Sequence, residues 1–284
     1  MTIETIWKEF SDDIAKIELL HRYEKAMFKK LSPYEKEWAD MIKKEEKFLK
    51  ARADKKDSFL NRKLEKVVPA KLQETIDEAF SKVFNLIFEK GTGFIEKTYS
   101  KQRLKEEYAE KDYASLTDHS GKQLRSFSKK AKASGTGNMI LSGAAGIGMG
   151  AAGVGIPDIP IFTAMLFKSI YEIALNYGFS YDNDRERNFI LLIIQGAVSY
   201  GDNLDRINNE IDRFIKTGKF DEDVDLQKQI KKTSALLSKE LLYMKFLQGT
   251  PVVGAIGGFY DVLYMKNITD YANIKYKRRF LSMR

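Results

Sequence analysis

Apolar side chains recur every three or four positions along most of this chain, which is the spacing of an amphipathic α-helix. Convincing runs of alternating apolar and polar residues, which would indicate strands, are absent from the sequence. The pattern predicts an all-α protein, a multi-helix bundle. Helices are predicted over residues 1–30, 32–50, 69–90, 94–113, 119–133, 157–177, 182–199, 203–217 and 222–246, with a last helix that begins within residues 249–260.

Start signals support one of these helices in particular. Ser32, Pro33 and Glu35 supply a capping hydroxyl, a first-turn proline and an acid that reaches back to the cap. A turn is predicted at Gly178, and an acidic cap over residues 182–187 precedes the next apolar helix.

The pattern of polar positions changes sharply in the middle of the chain. Residues 133–167 include eight glycines and a single charged side chain, Asp158. Pro157 and Pro160 flank this aspartate and are expected to divide the segment into two arms, with Asp158 capping the second. We predict a glycine-rich helical hairpin over residues 136–178, around which the rest of the bundle is arranged.

Glycine spacing suggests how such a hairpin packs. Four glycines between residues 143 and 153 advance by three, four and three positions, so they share one face of a helix and admit a close neighbour. Each glycine costs a helix about 1 kcal/mol relative to alanine, and close packing or lipid contact must offset that cost. The residues predicted to make hairpin packing or membrane contacts are Gly143, Gly146, Gly150, Gly153, Pro157, Pro160, Gly254 and Gly258.

Length and composition argue against a simple membrane span by the hairpin. Residues 139–156 would form roughly 27 Å of helix, close to the thickness of a hydrocarbon core. Only seven of these 18 residues are large and apolar. The second arm carries Lys168 and Glu172, each costing roughly 2.5 to 3.5 kcal/mol at the bilayer centre unless paired. A buried, close-packed hairpin is the favoured interpretation; a hairpin that dips into the membrane and a ligand-cradling loop are the alternatives.

The charge distribution indicates the domain organisation, and the cysteine content indicates the cellular compartment. The almost wholly polar residues 52–66 are a candidate hinge, so we predict a charged helical N-terminal arm over residues 1–63 and an all-α domain over residues 64–284. The chain has no cysteine, which excludes disulfides, thiolate metal sites and cysteine nucleophiles. The first ten residues do not resemble a secretory signal. We expect a cytoplasmic protein, peripheral to the inner face of the cell membrane.

The C-terminal tail is strongly basic. The net charge is +8, and residues 266–284 hold six basic residues against one acid; residues 122–132 also form a basic helix face. Anionic lipid headgroups attract such clusters at roughly 1 kcal/mol per residue, and nucleic acid phosphates attract them as well. A solvated helix end is the alternative. No recognition motif indicates a specific nucleic acid partner. The residues predicted to contact an anionic surface are Lys275, Lys277, Arg278 and Arg279.

Candidate chemistry is sparse. The motifs GxxxxGK[ST], HExxH and GxSxG are absent, and GMGAAG at residues 148–153 lacks the preceding strand of a dinucleotide site. We therefore predict no catalytic residue, no cofactor and no metal site. Charged side chains around the hairpin form a candidate polar site, either an ionic cluster or a cradle for an anionic headgroup: Asp158, Lys168, Glu172, Arg185, Arg187 and Asp261.

Four segments, in this order, resemble the EcsC protein family: VPAKLQETIDEAF, FEKGTGFIEKTYS, GIGMGAAGVGIPDIPIFTAMLFKSIYEIALNYGFSYDNDRERNFILLIIQGA and TPVVGAIGGFYDV. The likeness covers residues 64–277, and IPDIP followed by YGxxxD is its most specific part. Asp261 stands where the family tends to have asparagine. The resemblance implies a membrane-associated bacterial protein without established enzymatic activity, in some cases accompanying an ABC transporter.

Two functions follow as expectations. The first is a membrane-associated, non-enzymatic accessory protein that binds lipid or serves a membrane partner such as an ABC transporter. The alternative is a hydrolase acting on a lipid or peptide through three carboxylates near the hairpin: Asp158, Glu172 and Asp261.

Overall fold

A computed structural model describes residues 31–53, 70–89, 95, 99–117, 121–134, 159–220, 224–247 and 257–284, with only the backbone of residues 242–247 and 257–262. Within these ranges the chain forms nine helices and no strand, which confirms the all-α prediction. The helices are α1 (Pro33–Lys50), α2 (Ala70–Glu89), α3 (Lys101–Thr117), α4 (121–134), α5 (Ile159–Asn176), α6 (Asp184–Val198), α7 (Gly201–Thr217), α8 (Leu226–Leu247) and α9 (Gly257–Ser282).

Helix starts follow the local capping chemistry. The hydroxyl of Ser32 accepts the Glu35 N–H at 3.2 Å, and the Glu35 carboxylate accepts the Ser32 N–H at 2.7 Å, so the predicted capping box is confirmed. These hydrogen bonds to Ser32 hold the pKa of Glu35 below its ordinary value. At α6, the side chain of Asn183 accepts the Glu186 N–H at 2.9 Å and fixes the start of the helix.

Helix α3 begins later than its apolar pattern predicted. The Ser100 hydroxyl accepts the N–H of Arg103 at 3.2 Å, and its carbonyl accepts the N–H of Leu104 at 3.1 Å. Ser100 therefore acts as the N-cap of α3, which begins at Lys101, seven residues after the expected start at residue 94.

Helix α6 lies at the centre of the described bundle. Every residue from Asn188 to Ser199 is buried. The helix packs against α7, α8 and α9, while α5 packs against α2, α3 and α9. Rings of α2 and α5 meet edge to face, with the centroids of Phe84 and Phe88 5.3 and 5.2 Å from that of Phe167.

A close approach between α6 and α9 requires a glycine. A Cβ on Gly196 would lie 2.7 Å from Cε1 of Tyr271, which is closer than real side chains pack. The Tyr271 ring stacks on Phe48 of α1 at 4.7 Å, and its hydroxyl donates to Oδ1 of Asn208 on α7 at 2.8 Å. One tyrosine therefore ties four helices together. The turn predicted at Gly178 is also confirmed, with φ of 83°.

Helix α1 is packed into the bundle. It lies against α9, and the Tyr34 hydroxyl donates to the carbonyl of Leu281 at 2.8 Å. Residues 33–50, which the sequence assigned to an N-terminal arm, therefore share the core of the domain. The predicted boundary between residues 63 and 64 lies outside the described residues and stays a prediction.

The second arm of the predicted hairpin is α5, which begins at Ile159. Pro160 is its exposed second residue, where a proline leaves no helix hydrogen bond unmade. The first arm lies outside the described residues, and so do these members of the predicted contact set: Gly143, Gly146, Gly150, Gly153, Pro157 and Gly254. Gly258 lies in the first turn of α9. Within the described ranges, no helix is long and apolar enough to cross a membrane.

Candidate functional site

The cations of the basic tail are directed toward carboxylates of the same chain. Lys275 is completely buried and its ammonium pairs with Glu45 of α1 and, at 2.6 Å, with Asp212 of α7. Arg278 also pairs with Glu45. The four charges balance one another, so this part of α9 has intramolecular partners in place of an external anion.

The electrostatics of Glu45 reflect this network. Burial by itself would raise the pKa of Glu45, but the charge of Lys275 and the hydrogen bonds from Arg278 and Lys275 outweigh it. The resulting pKa of Glu45 lies below its ordinary value. The carboxylate is therefore ionised when the helices are docked.

The other two predicted tail cations are paired in the same way. Lys277 contacts Glu37 at 2.7 Å and Asp40 at 3.2 Å on α1. Arg279 makes two 2.7 Å hydrogen bonds with the carboxylate of Glu186, the bidentate geometry that suits a guanidinium. Its guanidinium also lies over three rings: Phe179, Phe189 and Phe214.

This placement bears on the role predicted for Lys275, Lys277, Arg278 and Arg279. Contact between these cations and an anionic surface stays a prediction, and their pairing does not favour it. The basic residues stabilise the junction of α9 with α1, α6 and α7 instead.

The predicted polar site is only partly assembled among the described residues. Lys168 and Glu172 lie one turn apart on α5, with 4.0 Å between their charged atoms and with both side chains largely buried. Arg187 pairs with Asp184 at 2.7 Å rather than with Glu172. The side chain of Arg185 is exposed. The side chains of Asp158 and Asp261 lie outside the described residues.

Arg185 lies beside a cleft where the start of α6 meets the end of α7. The cleft has a volume of about 330 Å³ and is lined by Asn183, Arg185, Glu186, Phe214, Gly218 and Arg279. Its inner charges, Arg279 and Glu186, neutralise each other. The cleft therefore offers one exposed cation and no assembled acid–base pair.

Helix α4 carries a second group of cations with different surroundings. Residues 121–134 contain five basic residues and no acid. Four of these side chains are exposed: Lys122, Arg125, Lys129 and Lys132. The sequence predicted this basic face, whereas the predicted contact with an anionic surface was assigned to the tail.

Packing fixes the orientation of α4. Phe127 and Ala131 are fully buried on the inner side. The Phe127 ring lies 4.8 Å from Phe280 and 5.7 Å from Tyr108, and Lys130 pairs with Glu107 of α3. The opposite side of the helix therefore faces solvent.

Potential metal ligands do not cluster within the described ranges. No group of three or more histidine, aspartate or glutamate side chains in that part of the chain is arranged to hold a metal ion.

Comparison with known proteins gives one match. The model of the EcsC protein family matches residues 35–281 of the 284-residue chain. The match begins earlier than the four segments of sequence likeness and includes nearly all of α1. No curated protein matches, and no solved structure matches.

Proposed function

This chain belongs to the EcsC protein family, and we propose that it is a membrane-associated accessory protein on the cytoplasmic side of the cell membrane. In this proposal the helical bundle is the water-facing body, and it attaches to the lipid surface beside a membrane partner such as an ABC transporter. The protein contributes binding and positioning rather than catalysis.

The observation that carries the proposal is how the bundle anchors the glycine-rich segment. Residues 135–157 are 23 consecutive uncharged residues. On one side of them, Ser134 accepts a 3.3 Å hydrogen bond from Asn176, the last residue of α5. On the other side, Ile159 is buried at the first residue of α5. The described residues that flank the segment, Ser134 and Ile159, therefore lie at opposite ends of a helix roughly 27 Å long.

An uncharged segment of this length contrasts in composition with the described helices. The described helices bury their apolar faces within the bundle and expose charged ones. Apolar residues that lie next to a charged surface are typical of proteins that rest at a membrane interface. This contrast supports membrane association.

The hydrolase alternative lacks comparable support. Of its three proposed carboxylates, Glu172 has a described side chain, and that side chain lies 4.0 Å from Lys168. An ion pair with a lysine on the same helix is the arrangement expected of a structural carboxylate.

Cell fractionation tests the proposal. We expect the full-length protein in the membrane fraction, with release by high salt or alkaline carbonate, while an integral membrane protein in the same sample resists both washes. Cross-linking before lysis should also join the chain to a membrane protein. Recovery of the protein entirely in the soluble fraction, with no cross-linked membrane partner, would contradict the proposal.

A further inference from the structure

We propose that the exposed face of α4 is the surface by which this chain docks on a bilayer containing anionic lipid. The inference rests on the proposed membrane association and names both the contacting surface and the lipid class. The α4 face is defined here as the side chains of Lys122, Arg125, Lys129 and Lys132.

The geometry of the α4 face suits a flat anionic surface. At 100° per residue, its four cations lie within an arc of about 80°, opposite the buried Phe127. They extend along roughly 15 Å of the helix. Because α4 contains no acid, nothing on the helix itself opposes an approaching anion.

The cations of the α4 face differ from those of the tail in their partners. In the part of the chain that the structure describes, no carboxylate forms an ion pair with Lys122, Arg125 or Lys129. Arg125 donates to the backbone carbonyl of Gly121, at 2.9 Å. Its neighbour Lys130 is directed away from the face, toward Glu107. Among the described residues, an anion that binds Lys122, Arg125 or Lys129 therefore displaces no carboxylate.

Sequence continuity favours a membrane over a nucleic acid. The α4 face ends at Lys132, and the 23 uncharged residues begin three positions later. A bilayer offers headgroup charge directly beside hydrocarbon, which matches this order of residues. A nucleic acid offers no apolar layer. Single-stranded nucleic acid also requires stacking aromatics, and the aromatic residue of α4, Phe127, is buried.

Vesicle binding by charge-neutral variants tests this docking surface. The probe variant is Lys122→Gln/Arg125→Gln/Lys129→Gln. The matched control is Lys43→Gln/Lys47→Gln/Lys50→Gln, which removes three exposed cations from α1 and lowers the net charge equally. Circular dichroism verifies that both full-length variants keep the wild-type helix content.

Cosedimentation is measured with vesicles of phosphatidylcholine, with and without phosphatidylglycerol. The wild type should bind the anionic vesicles more tightly, and added salt should weaken that binding. At roughly fivefold per cation, the α4 variant should lose about a hundredfold in partition coefficient, whereas the α1 control should lose less than about fivefold.

Three outcomes would overturn the inference, and they are distinguishable. Equal losses for the two triple variants would mean that net charge, rather than the α4 face, governs binding. Equal binding of the wild type to both vesicle types would keep membrane association but remove the anionic contact. Binding to neither vesicle, with binding to duplex DNA that depends on the α4 cations, would remove the lipid surface itself.

Discussion

Replacing Glu45 with glutamine tests how α1 is held on the bundle. The side chain is only 4% exposed and accepts hydrogen bonds from both Lys275 and Arg278. Glutamine keeps the shape of the side chain but removes its negative charge. Lys275, which is completely buried, would then rely on Asp212 at 2.6 Å.

The expected magnitude follows from this geometry. Removing one partner of a buried ion pair typically costs roughly 3 to 5 kcal/mol, because the remaining charge is left without compensation. Asp212 still faces Lys275, and its side chain is 30% exposed, so water also screens the site. We therefore expect Glu45→Gln to lower the free energy of unfolding by roughly 3 kcal/mol, near the lower end of that range.

Urea denaturation followed by circular dichroism measures this change. Glu46→Gln is the matched control, because Glu46 is exposed on the same helix and its replacement should change stability by less than about 0.5 kcal/mol. A double variant, Glu45→Gln/Lys275→Met, removes one charge of each sign and leaves Arg278 facing Asp212 at 3.7 Å. It should be more stable than Glu45→Gln alone.

The reasoning would be refuted if Glu45→Gln behaved like Glu46→Gln. The same conclusion would follow if the double variant were less stable than Glu45→Gln by the full cost of a second lost contact. Either result would mean that the charges of α1 and α9 are solvated rather than mutually compensating.

Three further predictions follow from the same structure. Gly196→Ala should lower the free energy of unfolding by roughly 1 to 3 kcal/mol in urea denaturation, because its Cβ meets the Tyr271 ring, which Phe48 and Asn208 hold in place. Gly178→Ala should be clearly more destabilising than Gly218→Ala. Both glycines have positive φ, but a Cβ on Gly178 would overlap the Tyr108 ring, whereas nothing lies within 4 Å of a Cβ on Gly218. We expect Gly218→Ala to lower the free energy of unfolding by about 1 kcal/mol. The pKa of Glu45 is lowered in the folded state, so its contribution to the free energy of unfolding is present above the ordinary pKa of about 4.5 and is lost as the pH falls below it. The stability difference between the wild type and Glu45→Gln should therefore shrink over that pH range in acid titrations.

The helical architecture was predictable because its signals are local. Ser32 and Glu35 lie three residues apart, and their capping box formed as the spacing indicated. The late start of α3 was missed because the apolar spacing extends before Ser100, while a single side-chain hydrogen bond decides where the helix begins.

The docking of α1 was not predictable from composition. Its buried stripe alternates acid and apolar side chains: Glu37, Met41, Glu45 and Phe48. Two glutamates on an apolar stripe indicate buried cationic partners. Those partners lie 230 or more residues away in the sequence, and local charge counting placed the acids in a charged arm and the cations against an anionic surface.

Partners that are distant in sequence also distinguish the two basic clusters, the tail and α4. The tail and α4 have similar charge densities, yet the tail cations face carboxylates, whereas no carboxylate in the described ranges pairs with Lys122, Arg125 or Lys129. Sequence shows which residues are charged but not which are already paired. The glycine seam of residues 143–153 lies outside the described residues and stays a prediction.

Site-specific lipid contact tests the central claim most directly. Because the chain has no cysteine, Ala133→Cys at the end of α4 and Ala51→Cys after α1 each introduce one exposed site for a fluorophore without altering a charge. The labelled proteins are mixed with vesicles that contain phosphatidylglycerol and bromine-labelled acyl chains, which quench a fluorophore at short range. We expect quenching at position 133 that is much stronger than at position 51 and that disappears when the anionic lipid is omitted. Equal quenching at the two positions, or stronger quenching at position 51, would contradict the central claim.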